Sequence, residues 1–134
     1  MSTRRAITTA QAPAAAPVFH QGIQQGCLLQ VSGQGPQDPA TGHYLFPGDV
    51  AAQTRQTLAN IVAILAAADA SLDDVIMLRV YITDRADFAA MNQAYGEFVL
   101  AHCPSGVLPS RTTVVVGLPR EDMLIEIDAL AVIG

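Results

Sequence analysis

The last third of the chain holds two strongly patterned runs, RTTVVV from Arg111 and MLIEIDALAVI from Met123, joined by GLPRED. Both are rich in β-branched residues and alternate with the period of two that marks a strand. Read as a hairpin with Val116 opposite Met123, the pair sets Glu126 opposite Thr113 and Asp128 opposite Arg111. Thr112, Val114, Val116, Ile125, Ile127 and Ala129 then share an apolar face suited to receive helices, while Arg111, Thr113, Glu126 and Asp128 share the other. A slip by one residue would scramble this separation, so the pattern supports the register.

The remaining elements follow from periodicity and breakers. A short strand is expected around Ala6 to Thr9, and a hairpin from Val18 to Ser32 with Gly26 as its turn residue. GQGPQDPATGHYLFPGD carries too many Gly and Pro residues for a regular element and reads as a loop. Asp49 follows Pro47-Gly48 as a helix cap, and Leu58, Ile61, Val62 and Leu65 recur at helical spacing, which predicts a helix from Val50 to about Asp69. VIMLRVYIT, Val75 to Thr83, places Ile76, Leu78, Val80 and Ile82 on one face and Met77, Arg79 and Tyr81 on the other. Both faces are largely apolar, so this strand is expected to be central and covered on both sides. Asp84 or Asp87 caps a second helix, whose stripe is Phe88, Met91, Tyr95 and Phe98 and whose end is near His102. Two helices and about six short strands define one α+β domain spanning residues 1–134, with a mixed sheet and both helices on one side of it. The other side carries Leu124, Leu130 and Val132 beside its charges, too apolar to face water, and a subunit interface is the simplest cover.

With 134 residues the chain can bury a core without a disulfide or metal staple. Twelve acidic against seven basic side chains give a net charge of -5, which speaks against an electrostatic grip on nucleic acid. Cys27 and Cys103 form no CxxC pair and no His stands at metal-ligand spacing from either, so both read as reduced thiols. No run approaches the length of a membrane helix, and the arginines near the start precede no apolar leader segment, which points to a soluble, cytoplasmic protein.

Arg111 is the residue type that chemistry would choose to hold a carboxylate, since its planar fork donates two parallel hydrogen bonds. Thr113 can add a hydroxyl or backbone N–H, and Glu126 can accept a proton or hold a water. An arginine anchoring a carboxylate beside a glutamate that orders water is a minimal hydrolytic site for the adjacent electrophilic carbon. The same residues also read as a cross-strand ion pair. Arg79 is a second anion donor or an interface ion-pair partner. Asn92 reads as an exposed helix residue. GQG, Gly33 to Gly35, leads into a proline and a loop, so it fails as a dinucleotide fingerprint, and His20, His43 and His102 are too scattered to argue a triad.

Taken together, VSGQGPQDPATG, VAAQTRQTLANIVAILAAADASLDDVI, MNQAYGEF and LPSRTTVVVGLPRE followed by IEIDALAV resemble, nearly end to end, the reactive intermediate deaminase family, also called RidA or YjgF. The resemblance implies a chorismate-mutase-like α+β fold and a homotrimer whose sheets form a central barrel, with a cleft between each pair of neighbouring subunits. It implies hydrolysis of 2-imino and enamine acids to 2-keto acids and ammonia, with no metal or organic cofactor. The partner is a small carboxylate substrate, not nucleic acid or membrane. Arg111 matches the carboxylate-gripping arginine, Glu126 the acidic residue of the attacking water, Ser32 the serine of the loop and Asn92 the asparagine of the second helix. Where many members carry a tyrosine, this chain offers Val18 or Phe19, depending on the alignment, and Tyr44 is a nearby hydroxyl that could stand in. The cysteine often found two residues after the arginine is Thr113, and HCPSGVLP is a longer loop than usual. These departures suit a divergent member acting on another imine, such as an aminomuconate or aminoacrylate derivative. The missing tyrosine hydroxyl also leaves open a keto-acid binding trimer without turnover, and the ribonuclease or translation-inhibitor activity attached to some relatives is a third reading, with the acidic charge against it.

Overall fold

Asp49 ends the long loop by accepting a hydrogen bond from the Ala52 backbone N–H at 3.0 Å, and helix α1 (Val50–Ala67) starts there. The computed structural model describes residues 3–134. Around α1 run strands β1 (Arg4–Ile7), β2 (Gly22–Gln25), β3 (Leu28–Gln34), β4 (Val75–Ile82), β5 (Ser110–Val115) and β6 (Ile125–Val132), with helix α2 (Phe88–His102) between β4 and β5. All six strands form one mixed sheet in the order β1-β2-β3-β6-β4-β5. Every pairing is antiparallel except β4 with β5.

That exception corrects the expected C-terminal hairpin: β5 and β6 do not pair, because β4 lies between them. The physical reason is the strand–helix–strand order of β4, α2 and β5. A helix that returns the chain to the starting end of a strand delivers the next strand parallel to it. The most apolar run thereby gains a neighbour on each edge, and Leu78, Val80 and Ile82 are fully buried. The expected division of faces holds in β6, where Ile125, Ile127 and Ala129 are buried and Glu126 and Asp128 are not. It fails in β5. Arg111 pairs with Leu78 and Thr113 with Val80, so both point to the helix side, while Thr112 and Val114 accompany Arg79 and Tyr81 on the open side.

The core lies between the helices and one sheet face. Leu58, Ile61, Ile64 and Leu65 of α1 and Met91, Tyr95 and Val99 of α2 pack with Leu29, Val31, Ile125 and Ile127. Each fully buried aliphatic chain here contributes roughly 1.5–3 kcal/mol. Val62 is only partly buried and Ile64 takes the position facing the sheet. A register shift between Val75 and Met77 turns Val75 inward and leaves Ile76 51% exposed, against the expected face. Asp84 caps a single 3-10 turn, Arg85–Asp87, that leads into α2, and Asp87 makes no capping hydrogen bond. The first hairpin turns at Gly26 as expected, with φ of 59°. It begins at Gly22, however, and Val18 and Phe19 lie in the preceding turn. On the open side Leu28, Val114 and Val132 remain 40–51% exposed. No described helix is long and apolar enough to cross a membrane.

Candidate functional site

The Arg111 guanidinium lies over two α2 aromatics, its central carbon 4.6 Å from the Tyr95 ring centre and 5.9 Å from that of Phe88. A cation over a ring face is held by the ring quadrupole without consuming its N–H donors. Among the described residues Arg111 has no ion-pair partner, whereas Arg79 and Arg120 each have one. Burial pushes the Tyr95 phenol up, which keeps it neutral beside the cation. Two residues along the same face, the Thr113 hydroxyl is buried and lacks a hydrogen-bond partner. Asn92 is exposed on α2, four residues after Phe88 and three before Tyr95, so it shares their side of the helix. Arg111 and Thr113 therefore form one group, a cationic fork with free donors beside a neutral hydroxyl, and Asn92 stands on the helix side that carries the two rings.

Glu126 anchors a second group. Burial, and secondarily the Asp128 charge, push its carboxyl above the usual glutamate range. Its carboxylate lies against Gly33 so closely that a Cβ there would stand 2.4 Å from Oε2. Next to Gly33, the Ser32 hydroxyl donates to the His20 carbonyl at 2.6 Å and the Ser32 backbone N–H to the Gln21 carbonyl at 2.9 Å. Those bonds commit the serine proton and leave its oxygen lone pairs. Phe19, 49% exposed, lines a cleft together with His20, whose carbonyl accepts from Ser32.

Glu126 pairs with Tyr81 on the open face of the sheet, and Arg111 pairs with Leu78 on the covered face. One chain thus does not bring the two groups together, which corrects the single-face arrangement expected from the hairpin. Asp128 is likewise apart from Arg111. It accepts from Arg79 Nε at 2.7 Å and from the Tyr81 hydroxyl at 3.0 Å, so Arg79 is an ion-pair partner and not a free anion donor. Tyr44 keeps company with neither group: its ring stacks under Arg120 at 4.5 Å. Among the described residues no three His, Cys, Asp or Glu side chains gather as a metal site.

Sequence reasoning missed three contributors. Phe88 and Tyr95 read as core, although aromatics seven residues apart on one helix face were the available signal for a cation platform. Gly33 was weighed only as part of GQG. A glycine inside a strand run is also the sign of a close approach by another group, and here that group is the Glu126 carboxylate.

These features fall within a known family. The family described as endoribonuclease L-PSP matches residues 9–133. The chain belongs to it, and it is the RidA/YjgF family named by the motifs above. A RutC family protein of Pyrococcus horikoshii is 43% identical over 128 residues, covering 96% of this chain and 97% of its own. The 2-iminobutanoate/2-iminopropanoate deaminase of Escherichia coli K12 is 40% identical with the same coverage. The crystal structure of E. coli TdcF with bound serine superposes with a TM-score of 0.88 at 38% identity, covering 97% of this chain and 99% of that one.

Proposed function

We propose that this protein hydrolyses 2-imino acids and their enamine tautomers to 2-keto acids and ammonia in the cytoplasm. The sites are shared between neighbouring copies of a homotrimer, whose sheets meet in a central barrel. One observation carries this reading: Arg111 is an aromatic-backed guanidinium with no protein carboxylate, on the face opposite Glu126. A neighbouring copy is the simplest way to set one chain's Arg111 group against another's Glu126 group. It would also cover Leu28, Val114 and Val132 on the open face. Support comes from the relatives named for deaminase activity, and from the TdcF structure that holds serine, a small carboxylate.

The chemistry follows from the two groups. Arg111 takes the substrate carboxylate on its fork, with Thr113 and Asn92 beside it, and draws charge from the neighbouring C=N carbon. A water held near Ser32 and Glu126 attacks that carbon while Glu126 accepts its proton. The proton passes to nitrogen and gives a carbinolamine; its hydroxyl proton then moves by way of Glu126 to the amine, the C–N bond breaks, and ammonia leaves as the C=O forms. The imine is already electrophilic, so positioning and electrostatics supply most of the acceleration. Phe19 walls the same half-site. Tyr44, held under Arg120, is left without a part.

Arg111→Ala tests the reading, with the imine generated in situ from an amino acid by an oxidase. The expected outcome is loss of nearly all ammonia release above the buffer rate. An unchanged rate would place the site elsewhere. Saturable keto-acid binding by the wild-type protein, with no turnover of any imine, would instead favour a binding trimer. A net charge of -5 with only seven basic side chains does not suit an RNA-cleaving surface.

A further inference from the structure

A cleft of about 580 Å³ opens between residues 8–17 and Pro39, and its lining includes His20, whose carbonyl accepts from the Ser32 hydroxyl. Its wall is fixed by Gln21, which is 3% exposed. The Gln21 amide donates to the carbonyls of Thr9, Ala12 and Pro13 at 3.0, 3.3 and 2.8 Å, and its oxygen accepts from the Thr9 N–H at 2.7 Å. A buried, fully used amide holds the segment in one shape. That shape lines the cleft mostly with methyl groups and rings, from the half-buried Ala15 and the exposed Ala14, Ala16, Pro17 and Phe19. Phe19 carries no hydroxyl to hold water there, and among the described residues His20 is the one titratable group in the lining.

His20 also ties the cleft to the reacting centre. Its carbonyl accepts a hydrogen bond from the Ser32 hydroxyl, and Ser32 adjoins Gly33, which lies against the Glu126 carboxylate. The carbon that water attacks in an imino acid bears three groups: the carboxylate, the nitrogen and the side chain. With the carboxylate on Arg111 and the water by Glu126, the side chain falls to the other walls of the site, and the cleft that His20 joins to Ser32 is one lined mostly by apolar groups.

We infer that this cleft is the side-chain pocket of the site, and that it selects imino acids with an aliphatic or aromatic group the size of leucine's or phenylalanine's. The inference rests on the hydrolase reading above and deepens it. A one-carbon side chain would leave most of the cleft to water. A larger apolar group displaces that water and buries surface against the alanines, proline and Phe19.

The test compares kcat/KM for imines generated from alanine, leucine and phenylalanine by an L-amino-acid oxidase with catalase present, each above its own buffer rate. The leucine- and phenylalanine-derived imines should exceed the alanine-derived one by about tenfold or more, as one or more extra methylenes in an apolar pocket give. Ala15→Leu, which fills the cleft, should lower that ratio by a similar factor, and Ala14→Leu on its exposed rim provides a second variant should the first fold poorly. If the alanine-derived imine is turned over but larger ones are no better, the pocket assignment fails and the hydrolase reading stands. A ratio indifferent to both cleft substitutions also overturns it. Failure on all three imines overturns the hydrolase reading and the pocket together.

Discussion

Arg111 and Glu126 project from opposite faces of one sheet, because Arg111 is registered with Leu78 and Glu126 with Tyr81. Alternation along β4 puts Leu78 among the helices and Tyr81 on the open side. A substrate of a few carbons cannot span a sheet. The guanidinium and the carboxylate therefore act on one molecule only if different chains supply them.

Replacing Arg111 by lysine keeps the charge but loses the two-pronged fork and the stacking on Tyr95. Steady-state kinetics should show KM raised by about tenfold or more, with kcat less affected. Tyr95→Leu, which keeps most of the volume and removes the ring face, should weaken binding more mildly, in line with a cation–π contribution of about 0.5–2 kcal/mol. A wild-type KM in Arg111→Lys would mean that the fork geometry plays no part.

The raised Glu126 carboxyl predicts opposite pH trends for rate and stability. As a proton acceptor it works ionised, so kcat/KM should fall with decreasing pH through a value above the usual glutamate range. Asp128→Asn removes a like charge and should move that limb to lower pH. For stability, the folded state holds the Glu126 proton more tightly than the unfolded chain does. Its favourable contribution is therefore complete below the ordinary glutamate pKa and is lost as pH rises through the raised one. Glu126→Gln should accordingly unfold at higher temperature than wild type above that window, and the difference should vanish below it. Thermal unfolding on both sides of the window checks this.

Glycine positions separate function from folding. A Cβ at Gly33 would meet Glu126 Oε2 at 2.4 Å and Cδ at 2.9 Å. Gly33→Ala should displace the carboxylate and lower kcat by about tenfold or more while the protein stays folded. Gly96, inside α2, has open space around it. Gly96→Ala should stabilise by about 0.5–1 kcal/mol through helix propensity. Denaturant unfolding and kcat on both variants check the contrast.

Gln53 is the structural counterpart. Wholly buried, its amide donates to the carbonyls of Leu45, Phe46 and Asp122 at 3.2, 3.2 and 3.0 Å and accepts from the Leu124 N–H at 2.8 Å. It ties the long loop to the start of β6. Gln53→Leu strands those groups in the interior and should cost at least about 2 kcal/mol in an unfolding titration.

Much of this architecture was legible in the sequence. The Asp49 cap, the Gly26 turn, both helices and the inward face of β6 follow from local patterns that the tertiary fold does not override. Strand partnership was not legible in the same way. RTTVVV and MLIEIDALAV alternate well enough to pair with each other, and period two does not say which edge a strand occupies. The clue lay in chain order, since a helix between two strands favours a parallel neighbour. Missing it put Arg111 on the wrong face. Arg111 itself was legible by residue type, and its platform was not, because Phe88 and Tyr95 fit an apolar stripe as well as a cation seat. Tyr44 marks a further limit: closeness in sequence to the Ser32 loop did not decide where its ring would stack.

The shared site is tested most directly by complementation. Arg111→Ala and Glu126→Gln, each inactive alone, are co-expressed in equal amounts and the mixed oligomers assayed for imine hydrolysis. A site built from one chain's Arg111 and a neighbour's Glu126 gives one intact site in every mixed trimer, and random assembly into closed trimers should restore on the order of a quarter of the wild-type rate. A mixture no more active than either variant by itself would contradict the account.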